Sequence, residues 1–325
     1  MQPSNRIQTL HQQIEETLFS LFRDREPQSL YQPMRHPLQS GGKRIRPLLL
    51  LLSAEAVGGD TEVCMNAAVA IELLHSFTLV HDDIMDHDDM RRGQPTVHVQ
   101  WDEPTAILAG DGLVTMAYQS LLKTEHSEII SVLKRFTEGL LVLCEGQALD
   151  KAFEQRASVD MDEYLTMIHK KTAKLLEVSC EIGGILGKGT EKQVTGLKYF
   201  ARELGIAFQI QDDLLDLICE ETVFGKPRAS DLMEKKQTYL TIHFCMNAPE
   251  NRKKEYQQVF GKKELSPGDI RIIQELFEQA GTISAAREVI QQGTERAIRH
   301  LAQLEPGESR DLLETFALKI RDRAM

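Results

Sequence analysis

Apolar residues recur at three- and four-residue intervals along most of the chain, which is the periodicity of amphipathic helices. Residues 7–22 follow this pattern, and Pro47 opens a second helix that ends at Gly58-Gly59. Further helices are predicted over residues 67–85, 106–122, 128–151, 161–186, 191–220, 231–246, 267–280, 283–304 and 309–321. Alternating β-branched runs bounded by turns are absent, so the pattern predicts an all-α protein.

The series of helices is not interrupted by a proline- or glycine-rich linker. The sequence therefore predicts a single domain over residues 1–325. Two polar connections stand out from the helices. Residues 221–230 are predicted to form a loop that carries Lys226, and residues 247–269, rich in Lys and Glu, are predicted to be a solvated excursion.

Composition and charge exclude several classes of protein. The net charge of −11 disfavours general attraction to nucleic acid or to anionic lipid. The five cysteines are far apart without a CxxC pair, as expected for thiols in a reducing compartment. Residues 1–20 lack the apolar core of a signal peptide, and the most hydrophobic run, residues 48–52, is too short to span a bilayer. These features predict a cytoplasmic protein without a transmembrane segment.

One acidic motif occurs twice. HDDIMD at residues 81–86 and QDDLLD at residues 211–216 are both DDxxD, and both follow a long apolar segment. Residues four apart share a helix face, so Asp82 lies beside Asp86, and Asp212 beside Asp216. A solvated surface would explain one such cluster. Two matching clusters at the ends of apolar helices indicate a bound cation, because burying uncompensated carboxylates is costly.

The predicted cation is Mg²⁺. This ion prefers carboxylate oxygens, keeps several waters, and commonly takes one or two protein carboxylates together with substrate phosphate. Zinc is disfavoured because neither cysteine nor paired histidine accompanies the aspartates. The pair His81-Asp82 is also found in metal phosphohydrolases, but further histidines at helical spacing are missing. His81 and His87 are predicted only to solvate or hydrogen-bond the aspartates.

Basic residues occur both before and after the acidic motifs. Arg91 and Arg92 come directly after the first motif, and SGGKRIRP at residues 40–47 combines a glycine turn with three cations. Guanidinium groups match phosphate oxygens, and a glycine turn can present backbone N–H groups to an anion. The other candidates are Lys170, Lys171, Lys226, Lys235 and Lys236. Together the charges predict a cavity with Mg²⁺-binding aspartates and phosphate-binding bases, and the separate basic sets suggest two diphosphates.

The ordered array of motifs carries a family resemblance. It runs from GGKRIRP through ELLHSFTLVHDDIMDHDDMRRGQPTVH, GQALD and KT to FQIQDDLLDL and GKPRASDL, over about residues 38–240. This array resembles the trans-type (E-type) polyprenyl diphosphate synthases. The resemblance implies about a dozen helices around a deep central cavity, a homodimer, and head-to-tail condensation of isopentenyl diphosphate with an allylic diphosphate.

The resemblance also implies a role for each matching residue. Asp82 and Asp86 match the carboxylates that bridge two Mg²⁺ ions to the allylic diphosphate, and Asp212 and Asp216 match the motif that holds a third ion. Asp212 is the surer direct ligand, and Asp83 and Asp213 match supporting members. The groups around the allylic diphosphate are matched by Arg91, Lys171, Thr172, Gln209, Lys226 and Lys236. The groups that bind isopentenyl diphosphate are matched by Lys43, Arg46, His75 and Arg92.

Two parts of the array need comment. Gln147 and Asp150 of GQALD are predicted to form a polar network behind Lys171. In DLMEKKQT, Met233 replaces a common Arg and Lys235 replaces a common Gly, so either Lys235 or Lys236 could be the lysine that reaches phosphate.

The predicted reaction needs little more than electrostatics and positioning. Ionisation of the allylic C–O bond leaves a carbocation and a diphosphate, and Mg²⁺ with Lys171 and Lys226 would stabilise the charge on the leaving group. The alkene of isopentenyl diphosphate, held by its own basic residues, would then attack the cation. In the family the released diphosphate is the usual acceptor of the final proton.

Product length is predicted from the helix before the first motif. In the family the position five before this motif commonly blocks the growing tail, and here it is Phe77. On an ideal helical wheel Phe77 lies about 140° from Asp82, so a kink or a tilted tail is required. The segment HSFTLVHDDIMD most resembles archaeal-like geranylgeranyl diphosphate synthases. A C20 product is therefore predicted, with C15 as the main alternative and longer chains as another.

Two other classes of function share part of this pattern. A terpene cyclase also uses DDxxD and Mg²⁺, but its second metal motif normally mixes Asn, Ser or Thr with Glu, and it lacks a site such as GGKRIRP. A noncatalytic partner subunit of a heteromeric synthase would keep the fold and lose aspartates, whereas both DDxxD motifs are complete here.

Overall fold

A computed structural model describes residues 5–218 and 229–324, and the described chain is helical apart from one short hairpin. The prediction of an all-α fold is confirmed. The first elements are α1 (Asn5–Ser20), α2 (Gln28–Gln39), α3 (Ile45–Ala56), α4 (Thr61–Asp86), β1 (Met90–Arg91), β2 (Gln94–Pro95), α5 (Val97–Gln100), α6 (Glu103–Leu121) and α7 (Ile129–Phe153).

The later elements are also helical. They are α8 (Met161–Ile168), a π-helical segment (His169–Ala173), α9 (Lys174–Leu186), α10 (Glu191–Ile218), α11 (Ser230–Met233), α12 (Tyr239–Asn247), α13 (Glu250–Phe260), α14 (Pro267–Gln279), α15 (Thr282–His300), a 3₁₀ turn (Leu301–Gln303) and α16 (Glu308–Ala324).

The chain divides into two compact units. Unit 1 comprises Met1–Leu140, Leu175–Lys198 and Gln303–Leu313. Unit 2 comprises Leu141–Lys174, Tyr199–Ala302 and Glu314–Met325. The single domain over residues 1–325 stays a prediction.

In unit 1 the core is built around α4. This helix packs against α3 and α6, and residues 48–52 of α3 are at most 2% exposed. By length and composition alone α4 could cross a membrane, but 72% of its most apolar window is buried inside the structure. A helix that is apolar on all sides and buried in this way is typical of the core of a soluble protein.

The core of unit 2 is aromatic. Phe244 packs against Tyr256 and Phe277, with ring centroids 5.2 and 5.1 Å apart. These three residues come from α12, α13 and α14. Residues 247–269, predicted as a solvated excursion, therefore contain a packed helix, and that prediction was wrong. The pattern was missed because only Tyr256 and Val259 of the charged helix α13 are buried.

Other predicted boundaries were also wrong. The helix predicted over residues 231–246 is two helices, separated where Lys235 adopts the left-handed conformation at φ 57°. The helix predicted over residues 161–186 contains the π-helical segment. Helix α2 was not predicted at all, because Pro33 and Pro37 lie inside it and its buried face is short.

Candidate active site

The first DDxxD motif ends helix α4 in unit 1. The helix stops at His87, whose φ of 55° is left-handed and whose backbone N–H bonds back to Asp83 and Ile84. Asp82 and Asp86 are half-buried, whereas Asp83 is only 4% exposed. Two carboxylates of the motif thus remain accessible to a ligand, and the third lies inside the protein.

Arg91 compensates the buried carboxylate. Its Nε donates to Asp83 Oδ1 at 2.5 Å, and its Nη2 lies 3.4 Å from Asp88 Oδ2. This contact agrees with the supporting role predicted for Asp83. Arg91 stands on β1 of a hairpin whose two central residues, Arg92 (φ 52°) and Gly93 (φ 75°), both have positive φ. That geometry is typical of a type I′ turn.

The hairpin and the glycine turn of GGKRIRP lie against each other in unit 1. Arg92 Nη1 donates to the carbonyl of Gly41. Gly42 has a φ of 153°, a conformation that favours glycine, and a Cβ there would lie 2.7 Å from the same Nη1 atom. Arg91 and Arg92 also line one surface cavity together with Ser40 and Asp83. The structure thus joins two of the predicted basic elements.

Arg44 anchors the glycine turn. Its side chain is 1% exposed, and it donates to Glu72 Oε1 at 2.8 Å, to Glu15 Oε1 at 2.6 Å and to the Leu38 carbonyl at 2.6 Å. Burial lowers the pKa of Arg44, but Glu72 and Glu15 more than offset this, so the net pKa is raised. Arg44 is therefore a structural cation. Lys43 beside it is exposed.

Arg46 and His75 form a pair on the same side of α3 and α4. Arg46 Nη1 lies 3.0 Å from His75 Nε2. A guanidinium can only donate, so Nε2 accepts this bond and the imidazole is neutral. Burial, followed by the positive charge of Arg46, lowers the pKa of His75 well below its ordinary value of 6.5. Two residues predicted to bind isopentenyl diphosphate thus contact each other.

The lowered pKa of His75 predicts a pH-dependent stability. Between pH of about 7.5 and about 5.5, wild type is expected to lose more free energy of unfolding than His75→Gln, because glutamine keeps an acceptor and does not titrate. A depressed histidine pKa means that its contribution is complete above the unfolded pKa and is lost as the pH falls toward the folded pKa. Urea unfolding at both pH values measures this, and equal losses in the two proteins contradict it.

Phe77 lies on α4 in unit 1, half-buried, with its ring 4.7 Å from the His81 ring in an edge contact. Thr78, which the helical wheel places closer to Asp82, is 8% exposed and donates its hydroxyl hydrogen to the His75 carbonyl at 2.8 Å. Phe77 is therefore the more accessible of the two side chains. Its role as the block for the growing tail stays a prediction.

In unit 2 the KT motif lies in the π-helical segment. A Cβ at Gly146 of α7 would lie 2.3 Å from the backbone nitrogen of Lys171, so glycine lets α7 approach this segment. Lys171 Nζ lies 2.5 Å from Asp150 Oδ2, and Thr172 Oγ1 donates to Gln209 Oε1 at 2.7 Å. Short π-helical segments occur frequently at functional sites. Four of the predicted polar residues are thus brought together here.

Gln147 behaves differently from its neighbour Asp150. The side chain is 7% exposed, yet neither Nε2 nor Oε1 has a hydrogen-bond partner among the described residues. A buried amide without partners costs about 1–3 kcal/mol. Of the two residues predicted to lie behind Lys171, only Asp150 therefore forms an ion pair with it. The Gln147 amide makes no hydrogen bond to the described residues.

The second DDxxD motif ends the described part of α10 in unit 2. Asp212 is half-buried, and Asp213 accepts from Tyr164 Oη at 2.6 Å, Gln209 Nε2 at 3.1 Å and the Tyr239 nitrogen at 3.0 Å. Burial raises the pKa of Asp213 despite these hydrogen bonds. Asp213 is thus held by three hydrogen bonds inside unit 2, and its supporting role stays a prediction.

Asp216 accepts hydrogen bonds from the first residues of helix α11. Its two oxygens accept from Ser230 Oγ at 2.8 Å, the Ser230 nitrogen at 3.2 Å and the Asp231 nitrogen at 3.1 Å, which fixes the start of α11. Burial, then repulsion from Asp216, raises the pKa of Asp231. Asp212 is therefore the more accessible of the two predicted metal ligands, and Asp216 keeps lone pairs for a metal only in addition to these bonds.

The structure distinguishes between the two lysines of DLMEKKQT. Lys235 takes the left-handed conformation that its common glycine counterpart would favour, and its Nζ donates to the Lys262 carbonyl at 2.8 Å. Lys236 Nζ lies 2.7 Å from Glu234 Oε2 and 4.0 Å from Asp231 Oδ1. Both ammonium groups therefore have partners within unit 2, and which lysine reaches phosphate stays a prediction. Lys226 lies outside the described residues.

The donor set fits Mg²⁺. Among residues 5–218 and 229–324, no three His, Cys, Asp or Glu side chains group into a metal site of their own. Each motif instead offers one or two accessible carboxylates, which is the number Mg²⁺ commonly takes beside phosphate and water. Asp213 and Asp231, which both lie close to Asp216, have raised pKa values, and a nearby cation would lower them.

Comparison with known proteins assigns the family. Residues 27–277 match the family model of the polyprenyl synthetases, which is more than half of the chain. The chain belongs to the polyprenyl synthetase family. The resemblance drawn from the motifs is thereby confirmed. This polyprenyl synthetase is a prenyltransferase, its substrates are isopentenyl diphosphate and an allylic diphosphate, and dependence on Mg²⁺ is general in the family.

Individual relatives cover nearly the whole polyprenyl synthetase. A geranylgeranyl diphosphate synthase of Methanosarcina mazei is 41% identical over 276 residues, 83% of each chain. A short chain isoprenyl diphosphate synthase of Methanothermobacter thermautotrophicus is 39% identical over 304 residues, 92% of each chain. The crystal structure of geranylgeranyl pyrophosphate synthetase from Pyrococcus horikoshii has a TM-score of 0.92 at 40% identity, covering 98% of this chain and 97% of that one.

Sequence reasoning missed several positioning residues of this polyprenyl synthetase. Arg44 lies inside a quoted motif, and its burial was not anticipated. Tyr164, which binds Asp213, is 49 residues away from it in sequence, and no local pattern links the two. Ser230, which binds Asp216, follows the second motif at a distance of 14 residues. Arg44 and Ser230 thus lie in motifs that the sequence singles out, GGKRIRP and GKPRASDL, whereas Tyr164 has no such signal.

Proposed function

We propose that this polyprenyl synthetase makes geranylgeranyl diphosphate (C20) by adding isopentenyl diphosphate to farnesyl diphosphate. The observation that carries the proposal is the similarity, at 39–41% identity, to archaeal synthases named for short-chain and geranylgeranyl products. The aromatic Phe77 before the first motif supports a short product, because a bulky side chain leaves less room for a long tail. Farnesyl diphosphate (C15) or a longer chain is the alternative product.

The aspartates would act on the allylic diphosphate. We propose that Asp82 and Asp86 hold two Mg²⁺ ions and that Asp212, with Asp216, holds a third. Bound Mg²⁺ supplies positive charge that stabilises the departing diphosphate. The part-buried ion pair of Arg91 with Asp83 supports this assignment, because it keeps the hairpin beside the two accessible carboxylates. The hydrogen bonds to Asp213 orient the face of α10 that carries Asp212.

The bases would bind the two diphosphates. Around the allylic diphosphate we propose Arg91, Lys171, Thr172, Gln209, Lys226 and Lys236. For isopentenyl diphosphate we propose Lys43, Arg46, His75 and Arg92. In unit 1 the neutral imidazole of His75 orients the Arg46 guanidinium by accepting its hydrogen bond, so that the other nitrogens can point at phosphate. Positioning the alkene in this way would supply much of the rate.

We further propose that the enzyme is a cytoplasmic homodimer. Unit 1 exposes a set of large apolar side chains on α6 and at the residues that follow it. Leu108 is 59% exposed, and Leu122 and Ile130 are 62% exposed. Exposed apolar side chains of this kind are expected where a second protein surface covers them. A second copy of the chain is the partner that the family resemblance implies.

The proposed function is tested by product sizing. The enzyme is incubated with Mg²⁺, isopentenyl diphosphate and, in turn, each allylic primer, and the products are separated by mass. A C20 diphosphate from farnesyl diphosphate supports the proposal. Cyclic hydrocarbon indicates a cyclase, and absence of product indicates a partner subunit.

The same assay tests Phe77. Removal of its ring in Phe77→Ala is expected to shift the main product by at least one C5 unit beyond C20, because the tail then has room to extend. Phe22→Ala is the matched control. Phe22 is a buried aromatic residue just after α1, and its replacement is expected to leave product length unchanged. An unchanged distribution in Phe77→Ala shows that Phe77 is not the block.

A further inference from the structure

His81 occupies a notch in helix α6 that only glycine can provide. Gly110 is buried on α6, and a Cβ built at this position would lie 2.1 Å from His81 Nε2 and 2.4 Å from its Cδ2. Real side chains do not approach this closely, so any other residue at position 110 would displace the imidazole. The imidazole of His81 is therefore seated directly against the α6 backbone.

Two further contacts hold the ring in the notch. His81 Nε2 lies 3.4 Å from the carbonyl oxygen of Ile107, one turn before Gly110 on α6. The other neighbour is Phe77, whose ring meets the imidazole edge at a centroid distance of 4.7 Å and an interplanar angle of 63°. Aromatic pairs favour this edge-to-face arrangement. The imidazole thus links the backbone of α6 to the side chain of Phe77.

The spacing along α4 explains why this link bears on the product. Phe77 and His81 are four residues apart and share one face of the helix, whereas Asp82 is the next residue in the chain. A ring fixed at position 81 restricts the rotamers open to Phe77. His81 lies next to the first aspartate motif, and in the proposed function the tail of the product begins at that motif.

We propose that His81, seated at Gly110, is a positioning residue that fixes the Phe77 ring and thereby sets the length of the product. This inference rests on the proposed role of Phe77 as the block for the growing tail. It adds to the sequence-based interpretation, in which His81 only solvates or hydrogen-bonds the aspartates. His81 touches neither diphosphate nor tail in this proposal and acts through Phe77.

The test compares variants by the ratio of products longer than C20 to C20. His81→Ala removes the ring that Phe77 packs against, and it is expected to raise this ratio about two- to tenfold, the range that the loss of one aromatic pair permits. Gly110→Ala keeps the histidine but fills its notch and displaces the ring, so the same direction of change is expected. His81→Gln keeps a polar reach to the Ile107 carbonyl without a ring and is expected to resemble His81→Ala.

Gly112→Ala is the matched control on the same helix. A Cβ there would meet the sulfur of Met34 at 2.6 Å, which is the flexible part of a side chain that can move away. Both substitutions give α6 the same gain in helix propensity. The product ratio of Gly112→Ala is expected to equal that of wild type, and a change as large as in Gly110→Ala overturns the assignment to the notch.

The double variant separates this inference from the proposed function. If His81 acts through Phe77, then adding His81→Ala to Phe77→Ala changes the ratio no further. The inference is overturned if Phe77→Ala lengthens the product but His81→Ala, His81→Gln and Gly110→Ala leave the product ratio unchanged. In that case Phe77 remains the block. If Phe77→Ala does not change the product ratio, the proposed block itself is overturned. If His81→Ala changes the ratio equally in wild type and in Phe77→Ala, the two residues are not coupled.

Discussion

Replacing Asp82 by alanine is expected to lower Mg²⁺-dependent turnover by at least about 100-fold, and Asp212→Ala is expected to do the same. Preorganised electrostatic groups at a reacting centre contribute about 10²–10³-fold each when they are removed singly. Both side chains are half-buried and lie outside the buried core. The free energy of unfolding is expected to change by less than about 0.5 kcal/mol without Mg²⁺.

Asp89→Ala is the matched control for the first motif. Asp89 lies in the same acidic segment and is exposed, and it belongs to neither DDxxD motif. Steady-state turnover against Mg²⁺ concentration, with thermal unfolding of each variant, measures the effect. Wild-type activity in Asp82→Ala or in Asp212→Ala removes the argument for a metal at that motif. If Asp89→Ala loses as much turnover as Asp82→Ala, the effect comes from the negative charge of the whole segment and not from the motif.

Replacing Arg44 by methionine is expected to lower the free energy of unfolding by about 3–5 kcal/mol. The guanidinium is 1% exposed and pairs with Glu72, which is itself 5% exposed, so its removal strands a carboxylate in the core of unit 1. The bond to the Leu38 carbonyl is lost as well. A cost of this size is a large part of the stability of an ordinary domain.

Two variants separate a buried charge from a lost contact. The double variant Arg44→Met with Glu72→Met replaces the pair by apolar side chains, and it is expected to recover most of the loss. Lys43→Met changes the exposed neighbour and is expected to alter stability by less than about 0.5 kcal/mol. Urea unfolding measures all three, and equal stability of Arg44→Met and Lys43→Met contradicts the structural role of Arg44.

Most of the proposed site residues could be named from the sequence, because each group lies within a short contiguous motif. Asp82 and Asp86 reach the same face of α4 through helical periodicity alone, and the structure has this helix over Thr61–Asp86. The same holds for Asp212 on α10 and for the glycine turn beside Lys43. The all-α class followed from the same periodicity. Helix α13 could not be predicted, because a charged helix with only two buried residues has almost no apolar periodicity.

The sequence by itself determined the family, the two acidic motifs and the bases around them, since local spacing specifies which side chains share a helix face. Only the tertiary structure decided which of them are bound inside the protein: Asp83 by Arg91, Asp213 by Tyr164, and Asp216 by Ser230. It also decided the seat of His81 at Gly110. Such pairs join positions on different elements, and their partners are chosen by how the elements pack, which no local periodicity encodes.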